Sequence, residues 1–519
     1  MSRKLLKSTS LVGGMTFLSR ILGFVRDMMF ARFFGAGLVM DAFFVAFKIP
    51  NFMRRLFAEG AFAQAFVPVF SEHKTIGNEK DIKLLADHVA GTLGGILLLI
   101  TIVGVLAAPL VIYLFAPGFS NDPEKYAISV DMLRLTFPYL LFISLTAFAG
   151  GILNTYSRFA VPAFTPVLLN VCLIVATVWA APYFDEPGMA LAWGVFIAGL
   201  AQLLFQVPFL AMLRLLPRPR WGWNNSEIKR ILKLMLPALF GSSVAQINLL
   251  LDTIIASFLV TGSVSWLYYS DRLMEFPLGV FGIALATVVL PSLSSRHASK
   301  SATQFTDTLD WALRLVVLIG LPASTGLFLL AGPILTTLFQ YGEFSDTDAM
   351  MATASLMPFA IGMFGFMLVK ILAPGYFARQ DTRTPVKAGI IAVIANMVLN
   401  LCLVVPWVLL DYPAPHAGLA ISTSLAAFIN AGLLYRGLRR QVYTPSAGWG
   451  RLWLQVIAGN LVLAAVLWWR VPALSVWLDW SATERASQLA LLIGMGLVAY
   501  VLALLLVGVR PHDLHRNTE

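Results

Sequence analysis

The stretch Val167-Leu-Leu-Asn170-Val-Cys172-Leu-Ile-Val175 returns about 230 residues later as Met397-Val-Leu-Asn400-Leu-Cys402-Leu-Val-Val405. Its surroundings return with it. Gly188-Met-Ala-Leu-Ala lies over Gly418-Leu-Ala-Ile-Ser, and Phe115-Ala-Pro-Gly-Phe-Ser over Phe339-Gln-Tyr-Gly-Glu-Phe-Ser. The run from Asp27 to Ala31 lies over Asp252 to Ala256. Chance likeness between apolar helices does not produce collinear matches that include Asn and Cys, so the chain is read as an internal duplication.

Composition says where the duplicated unit resides. The chain has 519 residues, 58% hydrophobic and 12% charged, with a mean hydropathy of +0.79. Soluble domains carry about twice that charge, so too little polar surface exists to cover one. The reading is an all-α polytopic membrane protein. Disorder, a coiled coil, a secreted disulfide scaffold, and a nucleic-acid binder inferred from the pI near 9.6 are all improbable. Cys172 and Cys402 lie inside apolar runs as small hydrophobes. Met1 to Lys7 followed by Arg20, Arg26 and Asp27 does not form a cleavable signal.

A span needs about 20 residues to cross the hydrocarbon. Fourteen transmembrane helices are expected, near 10–34, 42–70, 88–116, 126–153, 162–181, 189–213, 231–258, 265–294, 308–338, 350–377, 388–408, 418–435, 452–469 and 487–509. With the N-terminus cytoplasmic, 23 Lys and Arg fall in cytoplasmic loops, and only Lys125, Arg470 and Arg485 on the other side. That alternation supports an even count with both termini cytoplasmic. Six spans separate equivalent repeat positions, so the halves are parallel repeats, as in two-lobed transporters with a site between the lobes. The expected organisation is an N-terminal lobe of helices 1–6 over 1–220, a C-terminal lobe of helices 7–12 over 221–445, and helices 13–14 over 446–519.

The remaining basic residues lie in or at the ends of spans: Arg20, Arg26, Arg32, Lys48, Arg54, Arg55, Arg134, Lys233, Arg272, Arg314 and Lys370. A central one facing lipid would cost about 3 kcal/mol or more. Arg32, Arg134, Lys233 and Arg314 are near span ends and can snorkel. Arg20, Arg26 and Arg54 in the first half and Arg272 in the second are deeper, and can converge across the lobe interface. Asp27, Asp41, Glu59, Asp271 and Glu275 lie nearby, and Arg272 and Glu275 have the spacing of a helix-surface ion pair. A cationic cavity selects an anion, and guanidinium is the bidentate partner of phosphate. An amphiphile with a phosphate or pyrophosphate head fits; so would a soluble organic anion.

The residues also resemble a family. Ser19-Arg20-Ile-Leu-Gly23-Phe-Val-Arg26-Asp27 and Asp41-Ala-Phe-Phe-Val-Ala-Phe-Lys-Ile-Pro50-Asn51-Phe-Met-Arg54-Arg55-Leu-Phe-Ala-Glu59-Gly60 are similar to the MurJ (MviN) lipid II flippases. So are Ser265-Trp-Leu-Tyr-Tyr-Ser-Asp271-Arg272-Leu-Met-Glu275 and Leu372-Ala-Pro374-Gly-Tyr-Phe-Ala-Arg379-Gln-Asp-Thr-Arg-Thr384-Pro385. That family belongs to the multidrug, oligosaccharidyl-lipid and polysaccharide (MOP) exporter superfamily.

The resemblance implies two six-helix lobes, a hydrophobic groove formed with the last two helices, and a central cationic cavity. It implies alternating-access transport of undecaprenyl-pyrophosphate-MurNAc-pentapeptide-GlcNAc (lipid II) across the bacterial inner membrane for cell wall synthesis. Substrate-binding positions fall on Arg20, Arg26, Asp27, Arg54 and Arg272, with Asp41, Asn51, Glu59, Asp271 and Glu275 in support. Some members bind sodium; the matching positions are Asp252, Asn396 and Asn400, with Thr423 or Ser424 nearby. Asn400 stands where some members have an acid, and amides packing helices together are the competing reading. Implied partners are lipid II, membrane lipids and proteins of cell-wall synthesis. No nucleic acid and no organic cofactor is expected, and membrane potential is the expected drive.

Three rivals stay open. A drug exporter of the same superfamily would favour acids in its cavity. A flippase for another prenyl-pyrophosphate glycan satisfies the same physics, and only the motifs separate it. A membrane-embedded glycosyltransferase or phosphatase would need a catalytic cluster, but His73, His88, His297, His416, His512 and His515 form none in sequence, and there is no Walker motif. The chain is therefore read as a transporter without catalytic residues.

Overall fold

The structure, a computed structural model, describes residues 3–55, 62–279, 289, 292–293 and 302–510. Among the described residues every regular element is helical. Helices leave no backbone donor or acceptor unpaired inside hydrocarbon, which is why an apolar chain of this composition adopts them.

Packing divides the chain into two compact units, Met1–Ser265 and Trp266–Glu519. In order, the first holds α1 (Arg3–Phe34), α2 (Leu38–Arg54), α3 (Ala63–Ile76), α4 (Glu79–Leu106), α5 (Ala108–Phe115), α6 (Pro123–Thr136), α7 (Tyr139–Thr155), α8 (Ala160–Val175), α9 (Met189–Met212) and α10 (Ser226–Ser257). Next, α11 (Ser263–Pro277) straddles the division. The second unit continues with α12 (Ala302–Leu329), α13 (Ala331–Phe339), α14 (Asp346–Phe377), α15 (Arg383–Leu409), α16 (His416–Gln441), α17 (Trp449–Arg470), α18 (Leu474–Asp479) and α19 (Ala482–Leu506). The duplication puts its boundary near residue 220, whereas compactness puts it after Ser265, because α10 packs against α3, α4 and α5.

Several expected spans are built of two helices. Phe137 and Pro138 separate α6 from α7, and Ala107, two residues before Pro109, separates α4 from α5. Ten helical stretches among the described residues are long and apolar enough to cross a membrane. The four other expected spans coincide with α1, with α2 and α3, with α10, and with α11. These are the spans that carry Arg20, Arg26, Arg54, Asp252 and Arg272; α2, α3 and α11 are 17, 14 and 15 residues long, and Ile247–Ser257 of α10 is a shorter apolar stretch among the described residues. Part of 42–70 and most of 280–294 lie outside the described residues. The structure thus bears out the helical membrane fold, with ten spans established by length and apolarity.

Each unit has its own core. In the first, Phe62 stacks on Phe66 with ring centroids 5.1 Å apart, and Phe148 meets Phe66 at a tilt, 5.2 Å away. In the second, α14 and α16 approach closely at Gly362, where a Cβ would meet Ser424 Oγ at 2.3 Å. Small residues at such a crossing let backbones come near enough for dispersion to hold helices that lipid does not force together. Ser424 Oγ uses the closeness to donate to Pro358 O at 2.8 Å.

Helices α17 and α19, which have no counterpart in the repeat, are fastened to the second unit by two buried charges. Asp310 of α12, 3% exposed, accepts from Tyr443 Oη at 2.6 Å, Trp449 Nε1 at 2.7 Å and Arg314 Nε at 2.7 Å. Burial, and then the bond to Asp310, push the Tyr443 phenol above its ordinary range. Arg485 of α19, 5% exposed, donates to Trp477 O, Leu478 O, Thr336 O and Gln340 O, the carbonyls at the ends of α18 and α13. Helix C-termini present uncapped carbonyls and partial negative charge, so these two ends hold a guanidinium without a carboxylate. Tyr500 Oη adds a bond from α19 to Leu318 O at 2.8 Å.

Candidate functional site

Two clusters of buried charge in the first unit involve the predicted residues. At one, Arg26 and Asp27 of α1 meet. The Arg26 guanidinium donates through Nε and Nη2 to Asp27 Oδ1, at 2.9 and 2.6 Å. Asp27 is fully buried and Arg26 is 6% exposed. From α8, Asn170 completes the arrangement: its Oδ1 accepts from Arg26 Nη1 at 3.1 Å, and its Nδ2 donates to Ser19 O at 2.9 Å. A cation at this depth needs a neutralising partner close by, and Asp27 supplies it. Arg26 also lies over the Phe30 ring, 5.4 Å from its centroid.

Arg20, two turns earlier on α1, is half-buried. Among the described residues it makes no ion pair and no side-chain hydrogen bond. Arg54, at the end of α2 and also half-buried, donates from Nε to Asn51 Oδ1 at 2.9 Å, so the predicted support from Asn51 is in contact with it. Glu59 lies outside the described residues. Arg272 of α11, in the second unit, pairs with Glu275 at 3.2 Å, the helix-surface pair that its spacing predicts. Asp271 beside it is half-buried.

Asp41, one of the expected supporting residues, is held in a buried polar network. It is 1% exposed and forms a buried ion pair with Lys125 of α6 at 2.7 Å. It also accepts from Gly262 N, Ser265 N and Ser265 Oγ at 2.7 to 2.9 Å. One carboxylate thereby joins α2, α6 and the segment after α10. Nearby, Lys48 donates to Thr253 Oγ1 at 2.5 Å and Gly118 N to Ser257 Oγ at 3.0 Å, fixing the end of α10 in the first unit. Sequence reasoning left Lys125 in a loop; its signal was being one of so few basic residues on that side.

For sodium, the sequence offers oxygen donors, the right kind for a hard cation. Asn396 and Asn400 are one turn apart on α15 and fully buried, and Asp252, half-buried on α10, accepts from Asn248 Nδ2 at 3.4 Å. Among the described residues no group of three His, Cys, Asp or Glu gathers as a metal cluster. Asp252 belongs to the first compact unit, and Asn396 and Asn400 to the second.

Three residues matter more than their sequence context suggested: Asn170, Asp310 and Arg485. Asn170 entered as a marker of the repeat. The physical signal was present, since an amide inside an apolar helix is costly unless it bonds across to another helix.

Apolar helices long enough to cross a membrane, with charges buried among them, define a polytopic helical membrane protein. A multidrug resistance MATE family transporter of the MOP superfamily, inward-facing, shares this fold with a TM-score of 0.65 at 14% identity, over 83% of this chain and 97% of that one. The family model for Lipid II flippase MurJ matches residues 30–487. A probable lipid II flippase MurJ of Vibrio cholerae serotype O1 is 47% identical, over 100% of this chain and 99% of that protein. A solved lipid II flippase MurJ, in an inward closed conformation, superimposes with a TM-score of 0.79 at 27% identity, covering 95% of this chain and 97% of that one. The chain belongs to the MurJ lipid II flippase family.

Proposed function

We propose that this protein moves lipid II from the cytoplasmic to the outer leaflet of the bacterial inner membrane by alternating access, for cell wall synthesis. Family membership over almost the whole chain supports the substrate. The single observation that carries the chemistry is Arg20, a half-buried guanidinium in a span with no protein counter-ion among the described residues. An unpaired cation at that depth calls for water or an anion, and a diphosphate offers the bidentate acceptor that guanidinium fits.

In this reading Arg20, Arg26, Arg54 and Arg272 hold the pyrophosphate and sugar end. The prenyl tail stays in lipid or against α17 and α19. Lobes 1–220 and 221–445 rock around the head group, with 446–519 as the tail-binding addition. Both termini are cytoplasmic, on the strength of the 23-to-3 distribution of basic residues. No bond is broken, so no nucleophile is required. Membrane potential can drive the step, each unit charge contributing about 2.3 kcal/mol per 100 mV.

A sodium requirement is a second reading, favoured by the duplication. In the first half the acid and amide pair Asp27 and Asn170 holds a cation that the chain supplies, Arg26. The repeat counterparts are Asp252 and Asn400, and Leu251 stands where Arg26 would be. The family resemblance suggests sodium at Asp252, Asn396 and Asn400, and replacing sodium with choline in a transport assay tests it.

For the main reading the experiment is Arg26→Ala expressed in cells depleted of their own flippase. Arrested growth and loss of lipid II exposure at the outer surface are expected. Normal growth with normal exposure would contradict it, and movement of a different prenyl-linked glycan would favour that rival.

A further inference from the structure

Resting on the reading that Arg26 contacts the head group, we infer that Asn170 is its positioning residue. The geometry has two parts. Asn170 Oδ1 holds Nη1 of the fork at 3.1 Å, while Asp27 holds the Nε and Nη2 side. The plane of the guanidinium is therefore fixed from two directions by groups on two helices. Asn170 Nδ2 at the same time holds the Ser19 carbonyl at 2.9 Å, the residue before Arg20. One amide on α8 thus sets both the fork of Arg26 and the α1 turn from which Arg20 projects.

The residue type matters as much as the position. Arg26 and Asp27 together are neutral, and a neutral acceptor orients the fork without altering that balance. Aspartate at 170 would add a negative charge beside the guanidinium, repelling an anionic ligand and competing for Arg26. An apolar residue would leave the Nη1 side of the fork without its α8 acceptor, and preorganisation of the donor would be lost. An asparagine recurs at the equivalent place of the second half, Asn400, where no arginine precedes the counterpart acid. Packing shared by the two halves would account for an amide at both. The bond to Arg26 exists only in the first, which is why the test is built on dependence on Arg26.

That test is a double-mutant cycle on the full-length protein in detergent, using Asn170→Ala, Arg26→Gln and the pair, with lipid II as the titrated probe. Positioning predicts that Asn170→Ala weakens lipid II binding about tenfold in the Arg26 protein, as expected for a bond to a charged group. In the Arg26→Gln protein it changes binding less than about twofold, the mark of two residues acting through one contact. Asn170→Asp weakens binding more than Asn170→Ala does. Should Asn170→Ala fail to fold, Asn170→Ser enters the same cycle and the same non-additivity is expected. Equal losses in both backgrounds, or no loss from Asn170→Ala, overturn the inference and leave the arginine reading standing. Undiminished binding by Arg26→Gln overturns that reading and the inference with it.

Discussion

Arg26 Nη2 lies 2.6 Å from Asp27 Oδ1, with both side chains almost wholly buried although they are neighbours on one helix. Consecutive helical residues normally point about 100° apart, so this pair forms because the long arginine folds back along α1 to its neighbour.

Asp27→Asn removes the charge that neutralises a buried guanidinium. Breaking such a pair typically costs about 3–5 kcal/mol. Denaturant titration of the purified variant should register a loss of that order, and Arg26→Met added to it should recover part of the loss. An Asp27→Asn protein as stable as the parent would contradict Asp27 as the group that neutralises Arg26.

The Asp41 hub should respond to its two partners differently. Asp41→Ala strands Lys125, 4% exposed, along with the donors Gly262 N and Ser265 N, and should destabilise the first unit by about 3–5 kcal/mol. Asp41→Asn keeps an acceptor and should cost less. Limited proteolysis between α10 and α11 is the sensitive readout, because those donors fix that segment.

Arg485→Lys tests whether charge or fork geometry fastens α19. Lysine cannot span four carbonyls on two helix ends, so a loss of about 2 kcal/mol is expected in unfolding titrations. If lysine fully substitutes, charge at the helix termini is sufficient.

Asp381 should give a pH signature near α15. The Thr384 hydroxyl, and then the Thr384 backbone N–H, hold its carboxyl below the usual carboxylate range. A depressed carboxyl contributes stability that is present above its unfolded value, near 3.8, and is lost as pH falls through the lower folded value. Asp381→Asn should flatten that acid limb of a stability profile, and an unchanged profile would exclude Asp381 as its source.

Sequence alone made the helical membrane class, the duplication and the deep arginines legible, because cost per residue in hydrocarbon is large and local. The pairing of Arg272 with Glu275 was legible for the same reason: both lie on one helix face. What was not legible depends on chain topology. Lys125 reaches Asp41 across 84 positions, and Asn170 reaches Arg26 across 144. Arg485 looked like a loop cation because only folding brings the ends of α13 and α18 to it. Hydropathy also separated less than expected at α1, where Arg20, Arg26 and Asp27 interrupt the apolar run.

The central claim is that arginines inside the spans carry lipid II through the membrane. Its most direct measurement is lipid II translocation in liposomes containing the purified protein, comparing the parent with Arg20→Ala, Arg26→Ala, Arg54→Ala and Arg272→Ala under an imposed potential. The account predicts translocation by the parent and loss of most of it in each variant, with protein insertion unchanged. Translocation at the parent rate by all four variants would contradict it.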